Sequence, residues 1–328
     1  MSSLAPVIIH SSQFPERVRS DLLDSLRTRR VNHKFHYDSI KQAHKWLALH
    51  AAYSPSRTDP DFAAIYDRGF ESAASRLRPG RVHLIGLGCG GGQKDARLVK
   101  LLRESGKDVL YTPSDVSTAM VLMARQAVLE MIDERNCFPL VCDLATAEDL
   151  AAAIEQLPIP GSTRLITFFG MLPNFEPAFI LARLATLLRP GDCLLLSANL
   201  APGLDYAAGM ERILPLYDNG LTRDWLLTFL LDLGVEKNDG EIHFAIEDDS
   251  TTGGLKRVVA HFQFVRQREI EVHSERFDFH AGDSLRLFFS YRHTPALVRS
   301  LLAPHGLQVI DKWITPSQEE GVFLAVRA

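Results

Sequence analysis

Short apolar runs alternate with helix-like segments through the middle of the chain. The apolar runs are five or six residues long and occupy 82–87, 109–113, 138–142, 165–169 and 193–198. The segments between them repeat apolar residues at helical spacing and occupy 95–105, 118–135, 147–156 and 176–188. Buried strands that alternate with amphipathic helices indicate repeated βαβ units. The sequence therefore predicts an α/β core with a parallel sheet over residues 76–200.

The regions on either side of this core have a different pattern. Residues 1–75 contain amphipathic helical stretches that Pro15, Pro55 and Pro60 interrupt, and they predict a helical segment of a smaller lobe. Residues 201–284 combine a predicted helix with strand-like alternation, and they predict an inserted α+β lobe for the substrate.

Composition narrows the class of protein. The chain has 328 residues, 46% of them hydrophobic and 23% charged, which suits one nucleotide-binding core with a smaller second domain. A net charge of −4 without long runs of like charge argues against a nucleic-acid partner. Because the sequence has no apolar stretch of about 18 residues and no signal-peptide pattern, it predicts a cytoplasmic protein without membrane contact.

The four cysteines give no sign of a metal or disulfide site. They lack the CxxC spacing of zinc sites and the crowding of small disulfide-rich scaffolds. We therefore expect reduced thiols and no bound metal.

A glycine-rich segment, 86–92 (GLGCGGG), follows the first core strand and precedes a helix. Glycine at such a turn lets the backbone approach a nucleotide closely. The spacing satisfies both the GxGxxG of dinucleotide-binding enzymes and the GxGxG of enzymes that use S-adenosylmethionine (SAM). Gly86, Gly88 and Gly90 are thus candidate cofactor contacts, but the loop alone does not name the cofactor.

Two carboxylates follow core strands. Asp115 ends the second strand, where a carboxylate accepts hydrogen bonds from both ribose hydroxyls in either nucleotide family. The nearby Ser117 is the predicted N-cap of the next helix. Asp143 follows the third strand, where methyltransferases of class I commonly place an acid or amide against the adenine amino group; a simple loop carboxylate is the alternative.

The last segment, 285–328, returns to the core pattern and separates the two nucleotide families. A helix at 295–302 is followed by β-rich runs at 307–313 and 321–326. A closing hairpin with an antiparallel last strand is the class I methyltransferase ending, whereas dinucleotide folds finish with parallel strands. One position departs from that class: methyltransferases usually carry an acid where this chain has Gly86.

Several motifs occur in a characteristic order. They are the glycine loop, 115–117 (DVS), 173–177 (PNFEP) and 217–220 (YDNG), preceded by 37–38 (YD) and 55–59 (PSRTD). Over most of its length the chain resembles the histidine-specific SAM-dependent methyltransferases of the ergothioneine route. The resemblance implies methyl transfer from SAM to an α-amine, with the substrate bound between the Rossmann-like core and the lobe. It also implies that Asn174 and Tyr217 hold the substrate carboxylate and that Tyr37 helps to position the substrate.

The expected side-chain pocket differs from that of the histidine enzymes. In those enzymes a glutamate, followed two residues later by a serine, reads the imidazole; here Phe288 replaces the acid and Ser290 is retained. A phenyl ring accepts no hydrogen bond from imidazole, and a buried unpaired donor costs about 1–3 kcal/mol. The family also tends to have two tyrosines where this chain has Tyr53 and a serine. We therefore expect a substrate other than histidine, in a pocket formed by Tyr53, Phe288, Ser290 and Arg292.

These observations predict a SAM-dependent N-methyltransferase that acts on a small amino acid or amino-acid-like metabolite. We expect a monomer or a weak homodimer. His36, beside Tyr37, is a candidate acceptor for the amine proton, although a lone histidine is more often structural. Two alternatives stay open: an NAD(P)-dependent oxidoreductase that uses the GxGxxG loop, and a non-catalytic protein that keeps the SAM fold as a binding module.

Overall fold

The computed structural model describes residues 4–53, 59–159, 161–249 and 252–328. Of the sequence motif at 55–59, only Asp59 falls within the described residues. The chain divides into two compact units. The core unit comprises 1–13, 55–200 and 293–328, and the second unit comprises 14–54 and 201–292.

Strands and helices are numbered in chain order. The strands are β1 (Ile8–Ile9), β2 (Arg81–Leu87), β3 (Asp108–Asp115), β4 (Leu140–Val141), β5 (Thr163–Phe168), β6 (Cys193–Asn199), β7 (Gly240–Asp249), β8 (Leu255–Phe264), β9 (Arg268–Val272), β10 (Glu275–Phe279), β11 (Ser284–Arg292), β12 (Leu307–Ile314) and β13 (Glu320–Arg327). The α-helices are α1 (Pro15–Arg27), α2 (Ile40–Tyr53), α3 (Pro60–Arg76), α4 (Gln93–Glu104), α5 (Thr118–Val128), α6 (Leu150–Glu155), α7 (Pro177–Leu187), α8 (Tyr206–Tyr217), α9 (Gly220–Asp232) and α10 (Pro295–Leu302). Within the described residues, no helix has the length and apolar composition needed to cross a bilayer.

An eight-stranded sheet forms the core unit, in the order β1-β4-β3-β2-β5-β6-β13-β12. Strands β1 to β6 run parallel to one another. Strand β13 is antiparallel to both β6 and β12, so the closing hairpin inserts its last strand beside β6. This strand order, with the reversed strand at that position, is the class I methyltransferase arrangement, and the predicted fold class is confirmed.

Both faces of this sheet are buried. Successive side chains of a strand point to opposite sides, so neighbouring residues belong to different apolar clusters. In β2, Ile85 packs into one apolar cluster and Leu84 into the other. In β5, Ile166 and Leu165 divide in the same way. Burial on both faces explains why these strands read in the sequence as continuous apolar runs rather than as alternating ones.

The second unit contains an antiparallel sheet of order β11-β8-β7 and a separate β9–β10 hairpin. His273 and Ser274 join the two strands of the hairpin with φ angles of 50° and 69°, as a two-residue hairpin turn requires. Aromatic side chains fill much of the core of this unit, among them Phe262, Phe264 and Trp225.

The division into units differs from the predicted one in three places. Residues 1–13, which include β1, belong to the core unit, whereas the sequence assigned them to the lobe. Strand β11 pairs with β8 in the second unit, whereas the sequence assigned all of 285–328 to the core. Helix α3 belongs to the core unit, whereas the sequence assigned 1–75 to the lobe. The apolar face of α3, including Ile65 and Phe70, joins the cluster that covers one face of the large sheet. Amphipathic pattern identifies a buried face, but long-range packing decides what covers it.

Two elements are shorter than predicted. The helix predicted at 118–135 ends at Val128, and the chain turns before a 3-10 helix at Glu134–Asn136. The strand predicted at 138–142 is reduced to β4, because Pro139 has no N–H to donate to the strand ladder.

The contact between α3 and β13 gives a test of this assignment. A Cβ on Gly69 would lie 3.0 Å from Val322 Cγ1 and 3.5 Å from Leu195 Cδ1. We expect Gly69→Leu to lower the free energy of unfolding, because overpacking costs about 1–3 kcal/mol and improved helix propensity returns at most about 1 kcal/mol. Ala64→Leu, on the exposed face of the same helix, is the control and should change stability by less than about 0.5 kcal/mol. Equal urea midpoints for the two variants would contradict this packing.

Candidate functional site

The carboxyl ends of parallel strands β2 to β5 meet at one edge of the core sheet, where ligands bind in open α/β sheets. The glycine loop leaves β2 at this edge and leads into α4. Gly88, Gly90 and Gly92 have φ angles of 64°, 51° and 76°. A Cβ on Gly88 would lie 2.5 Å from Met171 Cγ. Positive φ and lack of space both require glycine here, so the loop is a backbone surface that a flat ligand can approach.

Asp115 fastens this loop to the end of β3. Its Oδ2 accepts a hydrogen bond from the Gly90 N–H at 3.0 Å, and its Oδ1 accepts one from the Ser117 N–H at 3.0 Å. Burial raises the pKa of the Asp115 carboxyl to about 6, and the backbone donors of Ser117 and Gly90 oppose that rise. Ser117 in turn caps α5, since its Oγ accepts from the Met120 N–H.

Asp143 lies just beyond β4, and its carboxylate accepts hydrogen bonds from the loop that follows it. Its Oδ1 accepts from the Ala145 N–H at 2.8 Å, and its Oδ2 accepts from the Thr146 hydroxyl at 3.1 Å. Its backbone N–H donates to Ser12 Oγ at 3.0 Å.

Gly86 lies within β2, and the carboxylate of Asp95 fills the space beside it. Asp95 Oδ2 accepts from the Tyr111 hydroxyl and its Oδ1 accepts from the Thr167 hydroxyl, each at 2.8 Å. Burial raises the pKa of Asp95 to about 6, against the effect of these two donors and of the neighbouring Lys94 charge. Sequence reasoning missed Asp95, because an acid in the first turn of a helix is commonplace.

Lys94 is a second residue that sequence reasoning missed. It lies in the first turn of α4, and its Nζ donates to the Tyr66 hydroxyl at 2.8 Å while lying 4.1 Å from the Tyr66 ring centroid. The Tyr66 hydroxyl donates to Glu320. A cation two residues beyond a glycine loop was the signal that could have drawn attention to it.

Asn174 ends the 3-10 helix Leu172–Asn174 that follows β5, and it is partly buried. Glu176, not Asn174, is the N-cap of α7. Helix capping therefore does not account for the amide at this position.

The second unit brings together most of the predicted substrate residues. The Tyr217 hydroxyl donates to Ser290 Oγ at 2.9 Å and accepts from Arg292 Nε at 3.1 Å. The Arg292 guanidinium also lies 5.3 Å from the Tyr217 ring centroid. Together they form a polar row of phenol, hydroxyl and guanidinium.

Phe288 lies beside this row in an aromatic cluster. Its ring centroid is 6.1 Å from that of Tyr217, 5.9 Å from that of Trp225 and 5.5 Å from that of His33. Tyr37 joins the cluster through a 3.0 Å hydrogen bond between its hydroxyl and His33 Nε2. The environment of Phe288 is therefore aromatic, with the ring only 8% exposed.

Two other predicted residues fall outside this arrangement. Tyr53 closes α2 and is 55% exposed. His36 is fully buried, with Nε2 at 2.7 Å from the Leu287 carbonyl oxygen, and burial lowers the pKa of its imidazole to about 4. A buried imidazole whose pKa is lowered in this way is a weak acceptor for an amine proton, which favours the structural role over the acceptor role for His36.

The core edge has the groups that SAM requires. A glycine loop gives close backbone approach, Asp115 is a carboxylate at the position that suits ribose hydroxyls, and Lys94 is a cation that suits a carboxylate. The donor and acceptor chemistry of the edge thus fits the ribose hydroxyls and the carboxylate of the cofactor.

A family model described as "Histidine-specific methyltransferase, SAM-dependent" matches residues 18–327. The histidine N-alpha-methyltransferase of Mycolicibacterium smegmatis is 27% identical over 289 residues, which are 84% of this chain and 83% of that protein. N-methyltransferase imqF of Aspergillus flavus is 25% identical over 247 residues, 73% of this chain. That match spans 65% of the relative, just under two thirds of its length.

Solved structures with a similar fold include magnesium protoporphyrin IX methyltransferase from Synechocystis PCC 6803 with bound SAH. It is 15% identical, has a TM-score of 0.47, and the match covers 90% of this chain and 98% of that chain.

The alternative of an NAD(P)-dependent oxidoreductase rested on the glycine spacing alone, and the reversed strand β13 and the family match both disagree with it. The match extends over nearly all of the sequence and includes both units. The chain belongs to the histidine-specific, SAM-dependent methyltransferase family.

Proposed function

We propose that the protein is a SAM-dependent N-methyltransferase that acts on the amino group of a small amino acid or amino-acid-like metabolite other than histidine. The observation that carries the proposal is the bond between the Asp115 carboxylate and the Gly90 N–H, on a sheet of methyltransferase order. Family membership supports SAM as the cofactor. The phenyl ring of Phe288, which accepts no hydrogen bond from an imidazole N–H at the position of the family's glutamate, argues against a histidine substrate.

Bound SAM supplies a methyl group made electrophilic by its sulfonium. We assign the ribose hydroxyls to Asp115 and, from its position after β4, the adenine amino group to Asp143. The backbone at Gly88 and Gly90 approaches the nucleoside, and the Lys94 ammonium is a suitable partner for the cofactor carboxylate. Gly86 acts by leaving room beneath the loop rather than by contact.

Methyl transfer to an amine needs a neutral nitrogen whose lone pair is aligned with the methyl group, so the main task of the chain is positioning. An α-amine is mostly protonated at neutral pH and loses its proton before attack. Direct transfer from a sulfonium needs no nucleophilic side chain.

The polar row in the second unit supports a role in substrate binding. The fixed charge of Arg292 suits a carboxylate, and Tyr217 holds the guanidinium in place through its hydroxyl and its ring. Ser290 gives a hydroxyl for a polar side chain. Asn174, Tyr37 and Tyr53 are kept as proposed substrate residues on the strength of the family resemblance.

A labelled-methyl screen tests this function. The purified protein is incubated with methyl-labelled SAM and a pooled library of amino acids and amines, and products are identified by mass spectrometry. We expect one or more labelled methyl groups on the nitrogen of an amine other than histidine, with a matching amount of S-adenosylhomocysteine. SAM binding in calorimetry without transfer to any amine would favour a non-catalytic binding module instead.

The raised pKa of Asp115 predicts pH-dependent cofactor binding. The ionised carboxylate accepts charge-assisted hydrogen bonds from ribose, and protonation through a pKa of about 6 weakens these bonds as pH falls. We expect SAM affinity in calorimetry to fall about tenfold between pH 7 and pH 5. Asp115→Asn should bind SAM more weakly at pH 7 and show a flatter pH profile. The exposed Asp133→Asn is the control, and an unchanged affinity for Asp115→Asn would remove this residue from the site.

Loss of the Tyr217 hydroxyl should affect the substrate and spare the cofactor. Tyr217→Phe removes bonds to Ser290 and Arg292, including one to a charged group worth about 1.5–3 kcal/mol. We expect KM for the amine to rise about tenfold or more, with SAM affinity nearly unchanged. Asn174→Ala should act in the same direction. If either variant lost SAM affinity instead, that residue would belong to the cofactor site.

Phe288 should control selectivity against histidine. Phe288→Glu gives an acceptor for an imidazole N–H and should raise kcat/KM for L-histidine relative to the preferred amine, at some cost in stability because the site is buried. Phe288→Leu, which stays apolar, is the control and should gain no histidine activity. Efficient methylation of histidine by the unmodified protein would show that the inference from Phe288 is wrong.

A further inference from the structure

The strand position that usually carries an acid in methyltransferases is Gly86 in this chain, yet a carboxylate occupies the neighbouring space. An ideal Cβ on Gly86 would lie 2.1 Å from Asp95 Oδ2, 3.1 Å from its Cγ and 3.3 Å from the Tyr111 hydroxyl. A side chain at position 86 and the present position of the Asp95 side chain therefore exclude each other. The side chain that β2 lacks at position 86 and the Asp95 side chain on α4 would occupy the same volume.

The Asp95 carboxylate is buried, and each of its two oxygens accepts a hydrogen bond. The residue is 3% exposed, and its two oxygens accept from Tyr111 on β3 and Thr167 on β5. Strands β3 and β5 flank β2 on its two sides. One side chain thus ties the first turn of α4 to both neighbours of the strand that carries the glycine loop.

This tie lies next to Lys94. Successive helical side chains diverge by about 100°, so fixing Asp95 beneath the loop fixes the direction in which Lys94 leaves the helix. Lys94 is then held by the Tyr66 hydroxyl. The negative charge of Asp95 and the positive charge of Lys94 also interact, which favours the ionised form of Asp95.

We propose that Asp95 replaces, from helix α4, the acid that β2 lacks at position 86, and that it positions the glycine loop and Lys94 for SAM. Asp95 is a positioning residue, since its oxygens bond to Tyr111 and Thr167. The proposal rests on the proposed use of SAM and adds a residue to it.

Moving the carboxylate from position 95 on α4 to position 86 on β2 tests the proposal. SAM affinity is measured by calorimetry at pH 8 for the wild type, Gly86→Asp, Asp95→Ala and the double variant, and the melting temperature of each is measured without SAM. Asp95→Ala removes the tie, and Gly86→Asp alone forces two carboxylates into one space. We expect each single variant to weaken SAM binding about tenfold or more and the double variant to return within about threefold of the wild type.

A purely structural role for Asp95 makes a different forecast. The carboxylate introduced by Gly86→Asp would then give no rescue, and the losses of the two single variants would add; that result overturns the proposal. Asp95→Asn covers the case in which Asp95→Ala fails to fold, because an amide keeps the shape and can bond to both hydroxyls. We expect Asp95→Asn to keep its melting temperature and to bind SAM within about threefold of the wild type, because the bonds to Tyr111 and Thr167 remain; a loss of about tenfold in this variant would overturn the proposal that these bonds position the loop.

These outcomes are separable from failure of the proposed function. A wild type that binds no SAM contradicts the proposed function itself. A wild type that binds SAM and methylates an amine, with additive losses in the four-protein comparison, contradicts only the role of Asp95.

Discussion

The N–H of Gly90 donates to the carboxylate of Asp115, and this bond fastens the loop after β2 to the end of β3. The loop reaches that position only because Gly88, Gly90 and Gly92 adopt positive φ angles that other residues rarely adopt. On one side the loop continues into α4, and on the other Asp115 leads to the cap of α5 through Ser117. The proposed placements of ribose, adenine and cofactor carboxylate all depend on this single fastening.

The two acids that lie next to the glycine loop share an electrostatic feature. Burial raises the pKa of Asp115 and of Asp95 to about 6, and nearby hydrogen-bond donors oppose the rise at both carboxyls. Asp115 uses backbone N–H groups, and Asp95 uses the hydroxyls of Tyr111 and Thr167. A raised pKa makes the ionised state responsive to small changes around the carboxylate, and ligands that donate hydrogen bonds to it favour that state.

Strand β11 carries the apolar side chain of Phe288 and two members of the polar row, Ser290 and Arg292. Phe288, Ser290 and Arg292 alternate along β11, so all three side chains point to the same face, where Tyr217 contacts each of them. Each of the three side chains leaves the same face of β11. Replacing one of them therefore changes the chemistry of that face without changing the strand. Under the proposed function, the side chain at position 288 is the feature of this face that disfavours histidine as the substrate.

The sequence by itself determined the features that depend on local geometry or on the rhythm of elements. The glycine loop, Asp115 after β3, the cap at Ser117 and the closing antiparallel hairpin were all readable, because each is set by residues close together in the chain. Tertiary structure alone decided which surface covers a buried face: α3 packs on the large sheet, and β11 pairs with β8. It also placed Asp95 beside Gly86 and buried His36 against Leu287. Such contacts join residues on different elements, and only packing of the whole chain brings those elements together.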